Sequence, residues 1–188
     1  NLEMERIKEY FFEYLDEAPR LFVLECAIFI EDYVSETLGK LLNIDLESSK
    51  TLRNLSFSTK VDLIREVNSL QVDERAKFKL FMEIRNKFAH EKIVNTFNSL
   101  FVSYEKNDFK NRLEKSSRNQ PELDLDYEFK YKLCYLNLTF ELSETLFKIQ
   151  IHDATKNIPI EVRNEINNDL LEIIKSGSFI TDEDWTKI

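Results

Sequence analysis

Residues 84–90 read Ile-Arg-Asn-Lys-Phe-Ala-His, and this stretch is the most informative in the 188-residue chain. It contains one of only two histidines, placed five residues after Arg85 and four after Asn86. The dipeptide Arg-Asn occurs three more times, in each case with no histidine within reach, at residues 53–54, 118–119 and 163–164. The combination at residues 84–90 is therefore the strongest candidate for a functional motif in this sequence.

The composition favours long helices over strands. Two glycines and three prolines are few for a chain of this length, and the turns between strands are usually built from those residues. A chain of 188 residues fits one domain that can bury a core without disulfides or metal. We expect an all-α fold, a single up-and-down bundle of about six or seven helices over residues 1–176, followed by a C-terminal tail at 177–188.

Apolar residues recur at helical spacing along most of the chain. A turn near residues 70–73 precedes a helix that ends at His90 and buries Phe78, Phe81, Ile84 and Phe88. Thr59 is placed to cap an earlier helix, with Asp62 as its capping-box partner. The other predicted helices cover residues 2–16, 20–42, 57–68, 92–117 and 127–152, and a last one runs from Pro159 to before Gly177.

An acidic residue interrupts the apolar stripe predicted for the second helix. Glu31 stands at the spacing of a buried seam that otherwise consists of Leu24, Ile28, Ser35, Leu38 and Leu42. A carboxylate in that position needs a cation, and Arg85 is the natural candidate. The pair could be a structural bridge or the contact that aims a functional arginine.

The charge of the chain is unevenly distributed. Lys and Arg number 26 and Asp and Glu 35, so the net charge is 26 − 35 = −9, which disfavours nucleic acid as a partner. Residues 60–92, however, contain eight basic and six acidic residues, a local 8 − 6 = +2. The motif at 84–90 therefore lies in the least acidic third of the chain, where an anionic ligand is most favoured.

The side chains of the motif suit one particular chemistry. Asn86 and His90 share a helix face, and Arg85, about 140° around the axis from His90, is long enough to swing back. Imidazole transfers protons near neutral pH, and guanidinium binds two phosphate oxygens. These groups fit metal-free RNA cleavage, in which a base activates the 2′-hydroxyl. Equally, such an arginine can pair with a carboxylate, and a histidine at a helix C-terminus is favoured by the helix dipole.

Other kinds of site find no support in the sequence. Two histidines and two cysteines are scattered without zinc spacing, and two glycines form no phosphate-binding loop, so we expect no metal and no cofactor. Cys26 and Cys134 lie among apolar residues, as free cysteines of a reducing compartment do. The apolar run at residues 21–30 is too short to span a membrane. We expect a soluble, cytoplasmic protein that makes no membrane contact.

The Arg-Asn-x3-His pattern of Arg85, Asn86 and His90 resembles the signature of the HEPN superfamily, all-α proteins that include many metal-independent endoribonucleases. The amino-acid sequence of residues 84–90 is similar to that of the HEPN branch related to the mannitol operon repressor. The similarity covers roughly residues 15–150. It includes the helix start at residues 57–61 and the acid Glu31 on the preceding long helix.

The resemblance implies a homodimer formed through the motif-bearing helix, with RNA as substrate and a role as a toxin or phage-defence effector. Arg85 and His90 would then be catalytic and Asn86 would support them, while Glu31 would orient Arg85. Lys87 and Lys92 are candidate RNA-binding residues. An antitoxin or regulatory protein would be a further partner.

Two features of the family leave a second interpretation open. Toxin members paired with a nucleotidyltransferase antitoxin often have tyrosine two residues after the histidine, and Lys92 stands there in this chain. Some HEPN domains are binding or regulatory modules. The alternative is therefore a non-catalytic HEPN dimer that acts as a transcriptional regulator or protein-binding module.

Overall fold

The computed structural model describes residue 11, residues 14–44, 49–50, 54–68, 70–116 and 126–159, and the single residues 162 and 168. These residues contain helices and no strand, which confirms the predicted all-α fold. Within the described residues six α-helices are defined: α1 (Pro19–Leu42), α2 (Phe57–Asn68), α3 (Val72–His90), α4 (Phe97–Ser103), α5 (Phe109–Ser116) and α6 (Tyr127–Thr155). A short 3₁₀ helix, Glu105–Asn107, links α4 to α5. Among the helices so described, none combines the length with the hydropathy that a membrane-spanning segment requires.

The longest helix, α6, forms the centre of the bundle. Its middle part is buried on nearly every side, so it has no solvent-facing stripe there and must be covered by other helices. α1 packs along it most extensively, and α3, α4 and α5 also contact it. The buried residues of this middle part are Tyr131, Lys132, Leu133, Cys134, Tyr135, Leu136, Leu138, Thr139, Phe140, Leu142 and Ser143.

α3 packs against this centre with the face predicted from its sequence. Its buried residues include Phe78, Phe81, Ile84 and Phe88. The ring of Phe81 stacks on Tyr135 of α6 with 4.8 Å between centroids and 9° between planes. Phe88 meets Phe97 of α4 edge-on at 5.2 Å. Such aromatic contacts have preferred geometries, so they fix the rotation of α3 about its axis and decide which motif residues face solvent.

The apolar stripe predicted for α1 is wrong except at Leu38, which is buried. Its buried residues are Phe22, Val23, Cys26, Ala27, Ile30, Val34, Thr37, Leu38 and Gly39, whereas Ile28 is 56% exposed. α1 is apolar on neighbouring faces, so spacing alone did not select the one that packs on α6. Glu31 consequently lies at the edge of the core, with 35% of its side chain exposed, and not within a buried seam.

The single helix predicted over residues 92–117 is also wrong. The chain turns after α3, and α4 begins only after Thr96, whose hydroxyl accepts a hydrogen bond from Ser99 N at 3.0 Å. After α4, Asp108 adopts a left-handed φ of 52°, which a continuous right-handed helix does not allow. The side chains of Asn95, Thr96 and Ser99 bond to the local backbone and so compete with helix formation.

The start of α2 differs from the predicted capping box. Ser56, not Thr59, caps the helix, because its hydroxyl accepts from Thr59 N at 3.1 Å. Asp62, the predicted partner of Thr59, instead pairs with Arg75 of α3 at 3.4 Å. This ion pair joins α2 to α3 across their short connection.

The chain ends are described only in part. Of the helix predicted at residues 2–16, the described residues Phe11, Tyr14 and Leu15 are helical. Lys132 of α6 donates from its ammonium group to the carbonyls of Leu15 and Glu17, at 2.6 and 2.5 Å, and thereby ties this segment to the core. Of the helix predicted after Pro159, only residues 162 and 168 are described, and both are helical. The predicted tail at 177–188 lies outside the described residues.

Removal of the Glu128 carboxylate should destabilise the bundle, because this side chain of α6 caps α4. Its oxygens accept from Phe97 N at 2.6 Å and Asn98 N at 2.8 Å, two donors that lack partners within α4. We expect Glu128→Ala to lower the free energy of unfolding by about 1–3 kcal/mol in urea denaturation. Glu128→Gln keeps one acceptor oxygen, so it should lower the free energy of unfolding by less. Glu105→Ala, at an exposed position, is the control; an equal loss there would contradict the capping role.

Candidate functional site

The motif occupies the last turns of α3, on the side away from the core. Ile84 and Phe88 are buried, whereas Asn86 and His90 are exposed and Arg85 is half-buried. α3 ends at His90, and the next amide, Glu91 N, donates to Lys87 O at 3.0 Å. The polar groups of the motif therefore lie together at a helix end and next to solvent.

Two side chains hold Arg85. Its Nη2 lies 2.9 Å from Oε1 of Glu31 on α1, and its Nη1 donates to Oδ1 of Asn86 at 3.1 Å. The structure thus brings together three of the predicted site residues, and 27% of the Arg85 side chain is exposed. A guanidinium has five N–H donors, so these two contacts leave donors that can bind an oxyanion such as phosphate.

His90 is positioned through the backbone that follows it. Nη2 of Arg20, at the start of α1, donates to the carbonyls of Glu91 at 2.6 Å and Val94 at 3.0 Å. A cation at a helix C-terminus satisfies carbonyl groups that have no partner within the helix. Arg20 therefore fixes the turn after His90 to α1. Sequence spacing could not indicate this contact, which joins residues 71 and 74 positions apart.

The two candidate RNA-binding lysines have different surroundings. The ammonium of Lys87 lies 3.9 Å from the centre of the Tyr104 ring and 3.5 Å from Oε1 of Glu91. These contacts engage its charge within the protein. Lys92 is exposed in the turn after α3, and within the described part of the chain no ion pair involves it. Lys92 is therefore the more available cation beside His90.

A buried phenol lies within electrostatic reach of the Arg85–Glu31 pair. The hydroxyl of Tyr135 donates to Phe81 O at 3.3 Å. Burial raises the pKa of Tyr135 well above its ordinary value; Cys26 and Glu31 act in the same direction, and Arg85 opposes them. The site thus interacts electrostatically with a neutral buried phenol. The sequence did not indicate this residue, because a tyrosine in an apolar helix has the pattern of any other core residue.

The described residues form no metal site, and the second histidine lies on another helix. In the described residues no group of three or more His, Cys, Asp or Glu side chains is arranged to hold a metal ion. His152 is exposed near the end of α6. His90 is consequently the histidine that shares a helix end with Arg85 and Asn86.

Comparisons of the chain with protein-family models, curated proteins and solved structures gave no match. The functional interpretation of the site therefore depends on the motif and on the geometry of the residues around it.

Raising the pH above about 10 should destabilise the protein through Tyr135. Its pKa is higher in the folded state than the ordinary 10.0 of an exposed tyrosine, so the folded protein retains a proton that the unfolded chain releases. The stabilisation is complete below pH 10 and is lost as the pH rises further. We expect the free energy of unfolding to fall as the pH rises above about 10. For Tyr135→Phe the free energy of unfolding should fall less steeply with pH. A phenolate absorbance titration of the folded protein in which Tyr135 ionises near pH 10 would contradict this expectation.

Proposed function

We propose that this chain is a metal-independent endoribonuclease of the HEPN type that works in the cytoplasm as a dimer. The observation that carries the proposal is the joint placement of Arg85, Asn86 and His90 at the solvent-facing end of α3, with Glu31 bound to the arginine at 2.9 Å. A role as a toxin or defence effector, restrained by an antitoxin or regulatory protein, belongs to the same proposal.

The chemistry assigns one task to each group. His90 takes the proton from a ribose 2′-hydroxyl, whose oxygen forms a bond to the adjacent phosphorus while the bond to the 5′-oxygen breaks. A protonated imidazole returns the proton to the leaving oxygen. Arg85 opposes the negative charge that builds on the phosphoryl oxygens. The products are a 2′,3′-cyclic phosphate and a 5′-hydroxyl.

The surface next to the motif supports dimer formation. Ile28 is 56% and Leu21 41% exposed on α1, and Ile28 lies one turn before Glu31. Leu21 and Ile28 are seven residues apart and share a helix face, and a contiguous exposed apolar patch is typical of a surface that another chain covers. A second copy of this chain on that face would bring two sets of Arg85 and His90 to one cleft.

A non-catalytic HEPN module, acting as a regulator or protein-binding domain, is the second candidate. The observation in its favour is the ion pair itself, because Glu31 neutralises the charge that Arg85 would offer to a phosphate. The net charge of −9 points the same way, since it opposes nucleic-acid binding by the rest of the surface. An assay of RNA cleavage distinguishes the ribonuclease from the non-catalytic module.

Replacement of His90 by alanine should abolish RNA cleavage in the presence of EDTA. Loss of a general acid or base lowers the rate by about 10²–10⁴-fold. The matched control is His152→Ala, which removes the other histidine of the chain from an exposed position on α6 and should leave the rate unchanged. Products of single-stranded RNA are resolved by electrophoresis and tested for the cyclic phosphate.

Three outcomes would count against the ribonuclease proposal: no cleavage by the wild type, equal cleavage by His90→Ala, or equal loss in His152→Ala. A wild type that forms a dimer and cleaves no RNA would favour the regulatory module.

A further inference from the structure

A cation outside the motif contacts the face of α1 that carries Glu31. Lys60, in the first turns of α2, is half-buried, and its ammonium donates to the hydroxyl of Ser35 on α1 at 2.8 Å. That hydroxyl donates in turn to the carbonyl of Glu31 at 2.7 Å. Lys60 is thus joined to the backbone of the residue whose carboxylate holds Arg85.

No carboxylate neutralises Lys60 in the part of the chain that the structure describes. Among the described residues the structure shows no ion pair for Lys60, and its hydrogen-bond partner is a neutral hydroxyl. Two acids of these helices pair with other cations: Asp62 with Arg75, and Glu36, on α1, with Lys40. A third, Asp32, is exposed three residues before Ser35, and in the described part of the chain it forms no ion pair with Lys60. A half-buried ammonium in such a place is costly unless an anion joins it.

Lys60 and Arg85 reach one face of α1 from two different helices. Glu31, which meets Arg85 of α3, and Ser35, which meets Lys60 of α2, are four residues apart and share that face. Four residues of an α-helix rise about 6 Å, so the two cations are anchored about one turn apart. This separation is of the order of the step between successive phosphates of an extended single strand.

We propose that Lys60, held in place by the hydroxyl of Ser35, forms a second phosphate-binding site, which takes the phosphate next to the one held by Arg85. The inference rests on the proposed ribonuclease function and adds where the strand runs, from the end of α3 across α1 to the start of α2. Lys60 is a positioning residue in this arrangement: it binds a phosphate that does not react and so sets which linkage reaches His90. The ligand is single-stranded RNA, recognised through its backbone.

The test measures binding without cleavage. The probe is a short, labelled, single-stranded 2′-O-methyl oligonucleotide, which lacks the attacking hydroxyl, and the readout is fluorescence anisotropy against salt concentration. Lys60→Met should weaken binding by about tenfold and lower the slope of log affinity against log salt by about 0.7, the value of one single-strand phosphate contact. Lys60→Arg should restore the slope. Lys79→Met, which removes an exposed lysine paired with Glu83, is the matched control and should leave both quantities unchanged.

Thermal unfolding without RNA separates this role from a structural one. A lysine kept for an external phosphate contributes little to the free protein, so the melting temperature of Lys60→Met should equal or exceed that of the wild type. A clear fall in melting temperature would assign Lys60 to the fold and overturn the proposal.

The outcomes also separate this inference from the proposed function. A wild type that binds and cleaves RNA, with Lys60→Met unchanged in affinity and salt slope, would overturn the second phosphate site and leave the ribonuclease standing. A wild type that neither binds the probe nor cleaves RNA would overturn both.

Discussion

The burial of α6 on nearly all sides is the constraint on which the rest of the structure depends. Since its middle part has no polar face, α1, α3, α4 and α5 must all pack on it. α1 and α3 become neighbours for this reason, and the stack of Phe81 on Tyr135 fixes how α3 is rotated. Glu31 then faces Arg85, and Arg20 reaches the turn after His90. The candidate site is a consequence of how two helices are placed on a third.

The Arg85–Glu31 ion pair orients the Arg85 side chain more than it stabilises the fold. Both side chains are partly exposed, 27% and 35%, and ion pairs in such positions contribute little to folding, about 0–1 kcal/mol. What the pair does is hold a long, flexible side chain in one place beside Asn86. A fixed guanidinium is what charge stabilisation in a transition state requires, because no reorganisation is then needed during the reaction.

The sequence was sufficient for the features that depend on local periodicity. It predicted an all-α chain and the buried face of α3. The predicted pairing of Glu31 with Arg85 is also found, although the buried seam from which it was argued is not the one that the structure has. It failed where tertiary packing decides between alternatives: α1 is apolar on neighbouring faces, and only α6 selects the one that begins at Phe22. It also failed at residues 92–117, where side-chain caps and the left-handed Asp108 interrupt the helix. The sequence did not predict the contacts of Arg20, Tyr135 and Lys60, because these contacts join distant parts of the chain.

The most direct measurement is a double-mutant cycle on Glu31 and Arg85, read both as RNA cleavage in EDTA and as free energy of unfolding. The proposed function predicts that Arg85→Met abolishes cleavage, that Glu31→Gln reduces it, and that the double variant is no worse than Arg85→Met, while the unfolding energies change by about 1 kcal/mol or less. Full cleavage by Arg85→Met, with coupling seen only in unfolding, would show that the pair is a structural bridge and would contradict the proposed function.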